Sequence, residues 1–224
     1  MNIEELSPIA RAAGLELRME EEGLTLTDGT LSLRVDFTQE MKRLEARNLS
    51  RELLVRAAAG RKDRPGGLAV DATAGLGEDS LLLSAAGWRV LLFEVNPLIA
   101  ALLEDGLERA LEVPSLKEIV SRMELRTGDS TVLLPALDSP DVVLLDPMFP
   151  SRRKSGLVKK KFQLLQRLEQ PCRNETELLQ AALDASPGKI IIKRPLKGPY
   201  LGGVKPSYRI EGSTIRYDCI VLFS

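Results

Sequence analysis

The chain has 224 residues, 44% hydrophobic and 28% charged, with a net charge of −1, which suits one folded domain with an appendage and excludes a disordered chain. Histidine is absent, which removes every His-based triad, His general base and His metal site, and two cysteines, Cys172 and Cys219, are too few for a zinc cluster. With no apolar run near about 18 residues, no signal-peptide pattern in Met1-Asn2-Ile3-Glu4-Glu5 and no global basic field, the expectation is a soluble cytoplasmic protein with reduced thiols, in which local clusters must carry any nucleic-acid binding.

Residues 2–13 read as a short helix ended by Gly14. Three alternating segments follow at Leu15–Glu20, Gly23–Thr27 and Leu31–Val35, and Asp28-Gly29 between the last two is a strong hairpin signal. Residues 1–37 are therefore expected to form a small β-rich appendage, either closing one side of a cleft or covering an edge. Thr38–Ala59 has the pattern of one helix, with Leu44, Leu49, Leu53, Leu54 and Ala58 roughly on one face. Lys42, Arg43, Arg47, Arg51 and Arg56 occupy the other face, as a solvated surface or as a phosphate contact. Arg61–Gly67 is the best candidate boundary, which makes 38–67 a helix and linker and 68–224 the main domain.

From Leu68 strands and helices alternate. Candidate strands are 68–72, 89–94, 123–127, 141–145 and 189–193, an order that predicts βαβ units and a parallel sheet covered on both faces. Tyr208–Glu211 and Ile215–Phe223 flank Gly212-Ser213 and close the chain as an antiparallel hairpin. Five parallel strands finished by a hairpin fit a methyltransferase domain better than a dehydrogenase.

The first of these strands runs into Asp71-Ala-Thr-Ala-Gly75-Leu-Gly77, then a helix start. A dinucleotide fingerprint wants a third glycine or alanine where Ser80 stands. A carboxylate beside the turn would repel a pyrophosphate and suits a sulfonium or ammonium group, so S-adenosylmethionine is the expected ligand of Asp71, Gly75 and Gly77. Glu94 ends the second strand 17 residues past Gly77, where an acid can accept from ribose hydroxyls or serve the helix that Asn96-Pro97 opens. Asp129 and Ser130 end the third strand and can accept from an adenine amine, with Ser130 alternatively a helix cap.

The fourth strand delivers Asp146-Pro147-Met148-Phe149-Pro150, a turn held stiff by two prolines. Asp146 and the Pro147 carbonyl can accept from a substrate NH₂, and Phe149 can stack on the ring that bears it. Directly afterwards Arg152, Arg153, Lys154, Lys159, Lys160 and Lys161 place six basic residues in ten positions with no acid among them. Lys193 and Arg194 end the fifth strand. A positive rim at strand carboxyl ends implies a polyanionic substrate, hence nucleic acid.

In that order Asp71-Ala-Thr-Ala-Gly-Leu-Gly77, Glu94-Val-Asn-Pro97, Asp146-Pro-Met-Phe-Pro150, Gly156-Leu-Val-Lys-Lys160 and Lys193-Arg-Pro195 resemble the bacterial small-subunit ribosomal RNA guanine-N2 methyltransferase family. The resemblance spans about Val35 to the C-terminus. It implies an α/β, Rossmann-like class I methyltransferase with a mostly parallel seven-stranded sheet, and S-adenosylmethionine contacts at Glu78, Asp79, Glu94, Val95, Asp129, Ser130 and Asp146. It further implies ribosomal RNA or the small ribosomal subunit as partner, and no metal or membrane. Three rivals stand beside it. An adenine-N6 or cytosine-N4 DNA methyltransferase would usually carry proline where Met148 stands. A nicotinamide-dependent oxidoreductase is opposed by Ser80, and a non-catalytic RNA-binding protein on the same scaffold would not need Asp146.

Overall fold

The computed structural model describes residues 3–59, 66–147, 164–165, 167–168 and 175–222. Seven strands build the main sheet: β4 (Leu68–Asp71), β5 (Arg89–Glu94), β6 (Met123–Thr127), β7 (Val142–Leu145), β8 (Lys189–Pro195), β9 (Tyr208–Glu211) and β10 (Ile215–Val221). Their spatial order is β6-β5-β4-β7-β8-β10-β9, parallel from β6 to β8 and antiparallel at β10 and β9. The expected parallel sheet with a closing hairpin is what the chain forms.

Alternation along these strands sorts side chains onto two apolar faces. Ala69, Leu92, Leu144 and Ile191 point into one buried cluster, and Val70, Leu91, Phe93, Val143, Leu145, Ile190 and Ile192 into the other. The helix Glu175–Asp184 covers the second face. The first is covered by α4 (Leu53–Ala58), α5 (Glu78–Ala85), α6 (Pro97–Leu111) and α7 (Pro114–Val120). The helix α6 begins where the sequence asks it to: Pro97 stands at its first position, and Asn96 Oδ1 accepts from Leu98 N at 2.9 Å and Ile99 N at 3.3 Å.

The N-terminal part is α1 (Ile3–Ala12) and a three-stranded antiparallel sheet of β1 (Glu16–Glu20), β2 (Gly23–Thr27) and β3 (Ser32–Leu33). Asp28 Oδ1 holds the hairpin turn by accepting from Thr30 N and Leu31 N. This sheet packs on the outer side of α6: Asp105 accepts from Leu24 N at 3.1 Å, and Arg109 donates to the Val35 carbonyl. Gly106 lies between these anchors because a Cβ there would come within 2.3 Å of Val35 Cγ1. The same buried cluster runs from Leu6 to Cys219, so appendage and main sheet share apolar packing.

One expectation fails. Residues 38–59 do not form a single helix but a 3-10 turn (Phe37–Glu40), α2 (Met41–Leu44), α3 (Ala46–Leu49) and α4. The backbone turns extended at Glu45 (φ −55°, ψ 133°) and Glu52 (φ −62°, ψ 128°). In one straight helix Leu49 would lie about 140° around from Leu44, off the apolar stripe. Polar contacts fix the breaks: Asn48 Nδ2 donates to the Lys42 carbonyl, and Arg43 bridges Glu40 and Glu52. Arg43 is thereby committed inside the segment, whereas Lys42, Arg47, Arg51 and Arg56 are exposed. No helix among the described residues is long and apolar enough to cross a membrane.

Candidate active site

The strand order reverses at β4, from which the chain builds β5 and β6 on one side and then crosses to β7 and β8 on the other. The crevice beyond the carboxyl tips of β4 and β7 is thus a topological switch point, the usual ligand position in open α/β sheets. Two hydrogen bonds staple these tips together. Ala72 N donates to the Leu144 carbonyl at 3.0 Å, and Asp146 N donates to Thr73 Oγ1 at 2.7 Å.

Asp71 lies beneath this crevice, 2% exposed. Its Oδ1 accepts from Thr73 N at 3.1 Å and its Oδ2 from Ser80 Oγ at 2.6 Å. Burial, reinforced by the nearby Asp79 and Asp146, pushes its carboxyl up to about 7, against the hydrogen bonds from Ser80 and Thr73. Asp71 therefore ties the strand tip to the helix start, and Ser80, read from the sequence only as a departure from a fingerprint, is its partner.

Gly75 and Gly77 both take positive φ, 53° and 78°, and Gly77 precedes α5 directly. A Cβ on Gly77 would meet Leu103 Cδ1 at 2.7 Å and Phe37 Cζ at 3.3 Å. The left-handed backbone and the side chains packed under the turn both favour glycine at this position. Gly75 N donates to Glu94 Oε2 at 2.9 Å, while Glu94 Oε1 accepts from Asn96 N at 2.8 Å. Burial raises the Glu94 carboxyl above the usual range, with the backbone N–H groups of Asn96, Gly75 and Val95 opposing it. A carboxylate offers about four acceptor positions, so Glu94 retains capacity for hydroxyl donors. Beside it Val95 is 64% exposed, an apolar side chain presented at a strand tip.

At the tip of β6, Asp129 Oδ1 accepts from Thr131 N at 2.8 Å and Thr131 Oγ1 at 2.7 Å. Asp129 caps the short helix Ser130–Leu133; Ser130 is that helix's buried first residue, not its cap.

The two basic residues expected on the rim are turned inward. Lys193 Nζ pairs with Asp79 Oδ2 at 2.6 Å and Asp146 Oδ2 at 2.9 Å. Arg194, 1% exposed, donates through Nε to the Pro199 carbonyl at 2.8 Å and pairs with Glu175 at 3.4 Å. Both are corrected from RNA contacts to internal counter-charges. Asp79 is likewise engaged by Lys193, and Glu78 lines a small concavity with Arg34, Asp36 and Gln39. Met148, Phe149, Pro150, Arg152, Arg153, Lys154, Lys159, Lys160 and Lys161 lie outside the described residues, as does Cys172.

Residues 4–222 match the family model of putative SAM-dependent methyltransferases. The chain belongs to this family. The methyltransferase is 42% identical to a ribosomal RNA small subunit methyltransferase J from Thioalkalivibrio sulfidiphilus over 202 residues, covering 88% of this chain and 79% of that one. It is 50% identical to the protein of the same name from Pseudomonas aeruginosa over 151 residues, 66% of this chain and 58% of the relative. The crystal structure of a SAM-dependent methyltransferase from Neisseria gonorrhoeae superimposes with a TM-score of 0.73 at 28% identity, covering 97% of this chain and 91% of that one.

S-adenosylmethionine is the cofactor of this methyltransferase, and the crevice fits it. Asp71, Glu94 and Asp146 at strand tips and Asp79 in the first turn of α5 form an acidic set that suits a cation and opposes a dinucleotide pyrophosphate. When bound, the sulfonium supplies an electrophilic methyl group. Thr73, Ser80 and Tyr217 were missed as site residues by sequence reasoning, and Lys193 was read as a rim residue without its acid partners. Thr73 and Ser80 stand inside the motif and are legible as hydroxyls beside an acid. The pairing of Lys193 with α5, and the register that sets Tyr217 beside it, have no signal in spacing.

Proposed function

We propose that the protein transfers the methyl group of S-adenosylmethionine to the exocyclic N2 amine of a guanosine in small-subunit ribosomal RNA. The observation that carries this reading is Asp146-Pro147 at the switch point, anchored by its backbone to Thr73 and by its side chain to Lys193, beside the acids that suit the donor. The name shared by the relatives supports the RNA substrate, and the basic run between Arg152 and Lys161 supports a polyanionic partner.

Guanine N2 is a poor nucleophile because its lone pair is delocalised into the ring. Holding it in line about 3–3.5 Å from the methyl carbon is therefore the main lever. Asp146 and the Pro147 carbonyl accept from the amine and draw its hydrogens out of the ring plane, and Asp146 takes the proton released on transfer. Phe149 stacks on the flipped base. Glu94 accepts from the donor's ribose, with Val95 against its adenine. Protein function is cytoplasmic, on ribosomal RNA either free or assembled into the small subunit.

Purified protein given labelled donor, with naked 16S RNA, small subunits and duplex DNA in parallel, tests the reading. Mass mapping is expected to find N2-methylguanosine in one rRNA fragment. Label in DNA, or at adenine N6 or cytosine N4, would overturn it.

A further inference from the structure

Lys193 stands two residues before the end of β8, and its ammonium reaches across the crevice floor to Asp79 in the first turn of α5 and to Asp146 past the tip of β7. Directly opposite in the antiparallel register is Tyr217 of β10, a buried phenol on the same side of the sheet floor. The three carboxyls of this floor, Asp71, Asp79 and Asp146, come from three different elements and repel one another.

We propose that Lys193 is a positioning residue for methyl transfer: its ammonium bridges the start of α5 to the tip of β7 and so holds the Asp146 carboxylate, charge included, where the acceptor amine arrives. The inference rests on the role given to Asp146 above. Thr73 fixes the backbone of Asp146 and Lys193 fixes Oδ2, which leaves Oδ1 as the oxygen that receives the amine.

The surrounding charges make the bridge necessary. Burial and the carboxyl of Asp79 on α5 favour the neutral form of Asp146, and Asp146 in turn helps to keep Asp71 of β4 protonated. Lys193 and, more weakly, Arg194 of β8 favour the anion. Tyr217 of β10 contributes no charge, since burial and Asp79 hold its phenol well above the usual range. Lys193 itself is pushed up by Asp79 and Asp146 despite its burial, so it stays an ammonium and is not a proton acceptor. Without it Asp146 takes up a proton at higher pH and then presents an O–H donor to an amine that needs an acceptor.

The test compares K193Q and K193R with the parent enzyme in kcat and KM for RNA between pH 5 and 9. In K193Q the acid limb of kcat is expected to move up by about one unit or more, since an opposite charge at this range lowers an aspartate by about 1–3 units. K193R is expected to keep the limb in place. A K193Q profile that is lower but superimposes on the parent after scaling would reduce Lys193 to a structural role and overturn the proposal. A second readout needs no turnover: the ¹³C carboxyl shift of Asp146, identified by its loss in D146N, followed against pH. Its midpoint rises in K193Q if Lys193 sets the charge, and an unchanged midpoint overturns the proposal. If instead the parent fails to methylate rRNA while the Asp146 midpoint still moves, it is the substrate reading that falls.

Discussion

Replacing Asp71 with asparagine isolates a buried carboxyl that forms no ion pair among the described residues. The amide keeps the geometry: its oxygen accepts from Thr73 N, and its NH₂ donates to the lone pairs of Ser80 Oγ. In the folded chain Asp71 titrates at about 7, against about 4 in an unfolded one. Between those values the folded state keeps a proton that the unfolded state has lost. The stabilising contribution of neutral Asp71 is therefore complete below about pH 4 and is lost as pH rises through about 7. Three units correspond to about 4 kcal/mol, or about 1.4 kcal/mol per pH unit inside the window. Glu94 and Asp146 are also raised and slope the same way, so the informative quantity is the difference between parent and D71N. Urea unfolding at pH 4.5, 5.5, 6.5 and 7.5 is expected to show D71N gaining on the parent at each step. A pH-independent difference would refute the reasoning.

Gly106→Ala pits about 1 kcal/mol of helix propensity against a Cβ 2.3 Å from buried Val35, an overpacking that costs about 1–3 kcal/mol. Net loss is expected by chemical denaturation, and V35A in the same chain should recover most of it. Thr73→Val keeps the shape but removes the acceptor of Asp146 N, an unmet bond of about 1–3 kcal/mol. Steady-state kinetics should show kcat falling more than the KM for donor rises. In Glu94→Gln one oxygen becomes an NH₂ facing the N–H of Gly75 or Asn96. Calorimetry should find the Kd for S-adenosylmethionine raised about 10- to 100-fold, and an unchanged Kd would remove Glu94 from the donor site.

The central parallel strands β4, β5, β7 and β8 were legible because each is a short apolar run buried on both faces, and the Asp28-Gly29 hairpin and the Asn96-Pro97 helix start because their geometry is local. The breaks at Glu45 and Glu52 were not. Neither proline nor glycine marks them, and they depend on Arg43 reaching nine residues to Glu52 and on Asn48 reaching back to Lys42. The strand-tip acids were legible as a set, since an acid after an apolar strand is a local pattern. Lys193 and Arg194 were misplaced for the opposite reason. Adjacent residues in a strand face opposite sides, and each found its acid on a different element: Asp79, 114 residues away, for Lys193, and Glu175 for Arg194. A basic pair at a strand end looks like a rim until those partners are known.

Acids gathered to receive a cation must be tolerated before it arrives, and the crevice uses a different device for each. Glu94 is held by backbone N–H groups, Asp79 and Asp146 share the Lys193 ammonium, and Asp71, held by Thr73 N and the Ser80 hydroxyl, keeps a proton into the neutral range. A cationic donor in the crevice favours the charged form of every carboxyl nearby, Asp71 with its raised value among them. Donor binding is therefore expected to release protons near neutrality. At pH 6.5 a group titrating at about 7 is about three-quarters protonated, which bounds its share of the release. Calorimetry in buffers of different ionisation enthalpy measures this number directly. It should fall by that share in D71N and persist in K193R. Proton release that is zero in the parent, or undiminished in D71N, would mean that the donor's charge does not reach the floor of the crevice.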